Sequence, residues 1–199
     1  MLPAPNGEYS QQQQIFSLIL NQIMPSFFLI IPIMASSVMA ASSFVGEKEK
    51  HTLETLLYSP LSLGQLFQSK ILAGFSVGMI SSFAAMLLVM ELESFFLTGN
   101  LLLPAASWLA IMLLIAPAIS LVAIAVTVRS SAKAQTIEEA QQRAVFLIFP
   151  ILALLIGQFT GIILISAGLL WGVGIVLAAL AILLVKRAAG NFTYEKLLK

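Results

Sequence analysis

Residues 138–143 read EEAQQR. Two adjacent carboxylates are followed by Arg143 in an E-E-x-x-x-R spacing, and carboxylates are among the side chains that take part in activating water. That chemistry needs histidines as base or metal ligand. The chain has one histidine, His51, which lies far upstream, and none follows Arg143. There is no cysteine, so thiolate metal sites, disulfides and cysteine nucleophiles are excluded together. Glu138, Glu139 and Arg143 therefore read as a solvated helix start, with Glu139 and Arg143 at i, i+4. His51 reads as an exposed loop residue. A phosphate-cradling loop is missing too: the chain nowhere contains G-x-x-x-x-G-K-[ST].

The second polar stretch is GEKEKHTLETLLYSPLSLGQLFQSK, residues 46–70. Thr52 is placed to cap a helix, and Glu54 in its first turn suits the helix dipole. Leu53, Leu56 and Leu57 form an apolar stripe at i, i+3, i+4. Ser59-Pro60 stops that helix. Ser62 and Gln65 then make an S-x-x-Q capping box that starts another. Leu63, Leu66 and Phe67 give the second helix an apolar face before Lys70. An amphipathic helix of this kind either lies on lipid headgroups or docks in a groove on a soluble partner. Glu47, Glu49 and Glu54 offset the basic charge, which suits a protein surface better than anionic lipid.

The elements that must hold these stretches are apolar. Of the 199 residues, 59 % are hydrophobic and 10 % charged, against about 25 % charged in soluble domains. Mean hydropathy is +1.00. A bilayer core takes roughly 20 apolar residues in a helix. Five such runs are present, at about 23–45, 71–90, 104–128, 144–164 and 168–185. The last two share an uncharged turn, with Gly157 to Gly161 as its other candidate position. The reading is an all-α polytopic membrane helix bundle, in a single transmembrane domain over 1–199 with a polar segment at 46–70. The net charge of +1 gives no reason to expect nucleic acid as a partner. The N-terminus, MLPAPNGEYSQQQQ, has no basic n-region and does not resemble a signal peptide.

Orientation follows from Lys and Arg. Threaded through five spans, all ten fall on one side: Lys48, Lys50 and Lys70, then Arg129, Lys133 and Arg143, then Lys186, Arg187, Lys196 and Lys199. The other side holds Glu8, Glu91 and Glu93. This predicts the N-terminus outside and the C-terminus in the cytoplasm. The span interiors contain no Asp, Glu, Lys, Arg or His, so they lack the groups of a proton relay or voltage sensor. Small residues recur on single stripes: Ser36 and Ala40, Gly74 and Gly78, Gly168 and Gly172. Such spacing lets helix backbones approach closely, within the bundle or between subunits. Pro25, Pro32, Pro117 and Pro150 lie inside or at the ends of spans, where they kink helices.

The 46–70 segment resembles the one after the second membrane helix of type-2 ABC exporter permeases, the ABC-2 family. The pattern is G-E-K-E-x-x-T-L-E-x-L-L-x-x-P followed by a lysine entering the next helix. It is matched by Gly46, Glu47, Lys48, Glu49, Thr52, Leu53, Glu54, Leu56, Leu57, Pro60 and Lys70. The second inner loop, SSAKAQTIEEAQQR, is weakly similar to the sodium-efflux-like branch, which carries Lys-x-Ala-Gln there. The resemblance implies a coupling helix that touches a separate ATP-hydrolysing subunit. Glu47, Glu49, Thr52, Leu53, Glu54, Leu56, Leu57 and Pro60 would form that interface. ATP and Mg would sit on the ATPase, with no cofactor and no enzymatic activity on this chain. A second permease copy, as homo- or heterodimer, would complete one export pathway in a prokaryotic cell membrane. Family members usually have six spans and begin in the cytoplasm. The resemblance thus implies a copy lacking the first span, and a non-transporting scaffold or truncated remnant is the alternative. EEAQQR resembles the signature of CAAX-type membrane proteases, whose histidines this chain lacks.

Overall fold

The computed structural model describes residues 19, 23–50, 63–97, 106–131, 133–160 and 167–190. Nearly all of those residues are helical and none is in a strand. Five helices are long and apolar enough to cross a membrane: Met24–Phe44, Gly64–Glu91, Trp108–Ser131, Ile137–Gln158 and Leu170–Arg187.

Proline sets the breaks inside these spans. The first consists of α1 (Met24–Phe28) and α2 (Ile30–Phe44), with Leu29 between them. Pro25 lies in the first turn of α1, where its missing N–H costs nothing. Pro32 cannot donate to the carbonyl four residues back, at Phe28, and its ring crowds that carbonyl. The discontinuity at Leu29 follows. After α2 comes a single turn, α3 (Gly46–Glu49). The second span belongs to α4 (Leu63–Leu97), one unbroken helix of 35 residues. It rises about 52 Å at 1.5 Å per residue, beyond the roughly 30 Å hydrocarbon core. The capping-box helix and the span expected at 71–90 are therefore a single rod.

The third span opens with α5 (Ala106–Ala110), widens into a π-helical turn over Ile111–Ile115, and continues as α6 (Ala116–Ser131). The Ala116 N–H donates to the Ile111 carbonyl, five residues back. Pro117 accounts for this: the wider turn moves the Leu113 carbonyl off the ring. The fourth candidate span is split into α7 (Ile137–Val145) and α8 (Ile148–Phe159), with Phe146 and Leu147 between them. Pro150 is four residues past Phe146 and explains that break in the same way. Helix α8 stops at Phe159 with Thr160 as its C-cap. The run expected to continue to 164 thus ends within the Gly157 to Gly161 stretch. The fifth span is α9 (Ala167–Gly190).

The third span is the most enclosed of the five. Helix α2 packs beside α6 in parallel, because Ser36 meets Ser120 and Ala40 meets Ile124 and Val128. Helix α9 is also parallel to α6, with Gly174 at Leu114 and Leu184 near Val126. Helix α4 runs antiparallel: Phe67 packs with Val128 at one end, and Met86 packs with Trp108 and Met112 at the other. This alternation brings Lys50, Lys70, Arg129, Lys133, Arg143, Lys186 and Arg187 to one end of the bundle. Outward faces of α4 and α9 remain apolar, as at Leu72, Ile80, Leu88, Ile175, Val176 and Leu183. A lipid environment accommodates such faces; water would not.

Candidate functional site

The site lies at the basic end, where the 46–62 segment leaves the first span and enters the second. Glu47 and Glu49 are in α3. Thr52, Leu53, Glu54, Leu56, Leu57 and Pro60 lie outside the described residues, as does His51.

Helix α3 continues from α2 through Val45, whose backbone stays in the right-handed region. Val45 N–H donates to the Ala41 carbonyl at 2.8 Å, and Glu49 N–H to the Val45 carbonyl at 2.8 Å. A four-residue helix is not stable alone, so its direction depends on its neighbours. Gly46 is buried, and a Cβ there would lie 3.5 Å from Ile137 Cδ1. Ala41 and Val45 pack with Ala134, Ala140 and Ile137 beneath the first span. Helix α7 thus buttresses the exit of the segment. Thr136 caps α7 by accepting from Glu139 N–H at 3.3 Å, while Glu139 Oε2 accepts from Gln135 N–H at 2.8 Å. Glu138, Glu139 and Arg143 are exposed at this helix, as expected of a solvated helix start.

Lys70, the eighth residue of α4 and the last before its apolar run, reaches back to the first span. Its ammonium donates to the Ser43 carbonyl at 2.8 Å and pairs with Glu47. It also lies over the Phe44 ring, 5.1 Å from the centroid. Phe44 meets Phe67 edge-on at 5.6 Å, and Phe67 is buried against Ala40, Ile124 and Val128. The segment between the two spans is therefore held at both ends by one cluster. Lys70 was part of the sequence pattern, but nothing in the sequence named its partners.

Deeper in the bundle, the small residues divide. Ser36 and Ser120 share a hydrogen bond of 2.6 Å between buried hydroxyls. Gly74 lies against Ile124 and the Ser36 backbone, which a Cβ would meet at 3.5 and 3.6 Å. At Gly78 a Cβ would overlap Ser36 Oγ and come within 3.0 Å of Ser120 Oγ. Ala40 is fully buried. Three helices therefore cross around Ser36, Gly78 and Ser120. Gly168 and Gly172 have no atom within 4 Å of an added Cβ and make no close contact in the bundle. Gly174 does instead, with Leu114 Cδ2 at 2.6 Å from such a Cβ. It faces away from the Gly168–Gly172 stripe, so small-residue spacing did not reveal it.

Other buried hydroxyls bond within their own helices. Ser82 donates to the Gly78 carbonyl at 2.7 Å, and Thr127 to the Ala123 carbonyl at 2.8 Å. At the far end of the bundle Trp108 is buried, edge-on to Phe28 at 5.4 Å, and its indole N–H has no acceptor among the described residues. Among the described residues no group of His, Cys, Asp and Glu could hold a metal.

No curated protein and no solved structure matches the chain. The family model described as ABC-2 family transporter protein matches residues 4–192, nearly the whole length. With five apolar helices and this match, the chain is an integral membrane protein and belongs to the ABC-2 transporter family, as a membrane permease component of an ABC transporter.

Proposed function

We propose that this permease couples ATP hydrolysis on a separate ATP-binding-cassette subunit to export across the membrane. The observation that carries the reading is the eleven-position pattern in 46–70, whose flanking residues continue directly into the first two spans. A coupling element needs an apolar knob joined stiffly to membrane helices. Leu53, Leu56 and Leu57 supply the knob, with Glu47, Glu49 and Glu54 as polar rim. The stiff join is supported by α3, the α7 buttress and the Lys70 cluster.

The basic end is cytoplasmic in this reading, because Lys and Arg are retained on that side. The N-terminus is then outside and the C-terminus inside, in a prokaryotic cell membrane. ATP and Mg act on the partner, and this chain carries no catalysis. A second permease copy frames the pathway, and lipid covers the outward faces of α4 and α9. The span interiors hold no ionisable group, so a substrate meets hydroxyls, backbone and shape. Sodium, lipid, peptide and drug export all fit that interior; the sodium branch has the added loop likeness.

The test is affinity purification of the chain from native membranes. An ATP-binding-cassette ATPase is expected to come with it. Leu53→Asp and Leu57→Asp are expected to abolish that co-purification while membrane insertion stays normal. Unchanged co-purification by both variants overturns the docking role.

A further inference from the structure

We infer that Lys70 is a positioning residue that locks the exit of the 46–62 segment to the first and second spans at once. The inference deepens the coupling reading and rests on it for its purpose. Its geometry stands by itself.

An exposed ion pair between flexible chains contributes little, because water screens it and both side chains lose freedom. Lys70 is in a different position. Its side chain is 15 % exposed and that of Glu47 25 %. Its contacts come from three places: the Glu47 carboxylate on α3, the Ser43 carbonyl near the end of α2, and the face of Phe44. Its own backbone belongs to α4. An ammonium has three donors and no preferred plane, so one group can serve a carboxylate and a carbonyl on separate elements.

The consequence is mechanical. A single turn such as α3 cannot fix its own direction. Gly46 against Ile137 restrains it on one side, and Glu47 against Lys70 on the other. Without the ammonium, α3 loses the restraint at Glu47, while its contact with α7 through Gly46 and Ile137 stays. The base of α4 loses its polar tie to the first span, while the apolar contacts through Phe67 stay. A push on the segment would then move one span and not both. Arginine at position 70 retains charge and donors, so it preserves the link. Methionine keeps much of the apolar stem and removes the link.

The chain has no cysteine, so labels can be placed without background. Spin labels are attached at Lys50→Cys and Gly64→Cys. Both positions are exposed, and Gly64 has no atom within 4 Å of an added Cβ. The interspin distance distribution is measured in lipid nanodiscs by pulsed electron resonance, with and without the co-purified ATPase and ATP–Mg. Lys70→Met and Glu47→Gln are expected each to broaden the distribution of the isolated chain, and the double variant to broaden it no further. Lys70→Arg is expected to restore the narrow distribution. In the complex, Lys70→Met is expected to keep the ATPase but lose the shift that ATP–Mg produces in the parent. A narrow distribution in Lys70→Met and Glu47→Gln overturns the inference, whether or not an ATPase is bound. An ATP–Mg shift retained in Lys70→Met overturns it as well. A parent chain that brings no ATPase counts against the coupling reading alone, since the distribution of the isolated chain still decides the joint.

Discussion

Gly78→Ala places a methyl group where α2, α4 and α6 cross. The added carbon overlaps Ser36 Oγ and lies 3.3 Å from Ser36 Cβ and 3.0 Å from Ser120 Oγ. Overfilling a packed site costs about 1–3 kcal/mol. The Ser36 hydroxyl must swing away, and its bond to Ser120 is lost; such interhelical bonds in membranes average about 0.6 kcal/mol. Alanine is favoured over glycine in a helix by about 1 kcal/mol. The net is a destabilisation of about 0.6–2.6 kcal/mol. Adding Ser36→Ala removes the hydroxyl that collides. The double variant then keeps the helix gain and the lost bond, which nearly cancel, so it lies within about 1 kcal/mol of the parent. Equilibrium unfolding of the four proteins in mixed micelles, followed by far-ultraviolet circular dichroism, measures this cycle. The reasoning is refuted if Gly78→Ala is as stable as the parent. It is equally refuted if Ser36→Ala adds its own loss to that of Gly78→Ala, since the cycle would then show no coupling.

Gly174→Ala, facing Leu114 and Ile115, is expected to destabilise by up to about 2 kcal/mol, the overpacking cost of about 1–3 kcal/mol less the helix gain of about 1 kcal/mol. Gly168→Ala and Gly172→Ala, with open space around them, are expected to be neutral or to stabilise by up to about 1 kcal/mol; the same unfolding assay ranks all three. Trp108→Phe removes a buried donor that has no acceptor among the described residues, so its cost is expected to stay under about 1 kcal/mol, whereas Trp108→Ala opens a cavity costing about 3–5 kcal/mol. Equal losses for the two Trp108 variants would show that the N–H is satisfied. Leu53→Asp is expected to eliminate ATPase co-purification without changing the amount of chain in the membrane, which quantitative immunoblotting of both fractions checks.

The number of spans, their order and the gathering of basic charge at one end were legible in the sequence. Each depends on hydropathy summed over some twenty residues, and a bilayer reads that sum whatever the packing. The 46–70 pattern was found by the fixed spacing of its residues, and positions 51–62 of it lie outside the described residues. The breaks were half legible. Pro32, Pro117 and Pro150 announced irregular backbone, and the structure put it at Leu29, in the Ile111–Ile115 turn and at Phe146–Leu147. Tertiary structure alone decided which face of each span looks inward. Gly78 and Gly174 touch neighbours while Gly168 and Gly172 do not, although all four are glycines in apolar helices. In water a helix declares its inner face by its apolar stripe. In lipid the inner and outer faces are both apolar, so rotation about the axis leaves little trace in composition. The partners of Lys70 were hidden for a related reason: 23 residues separate it from Glu47, and only the antiparallel pairing of the first two spans brings them together.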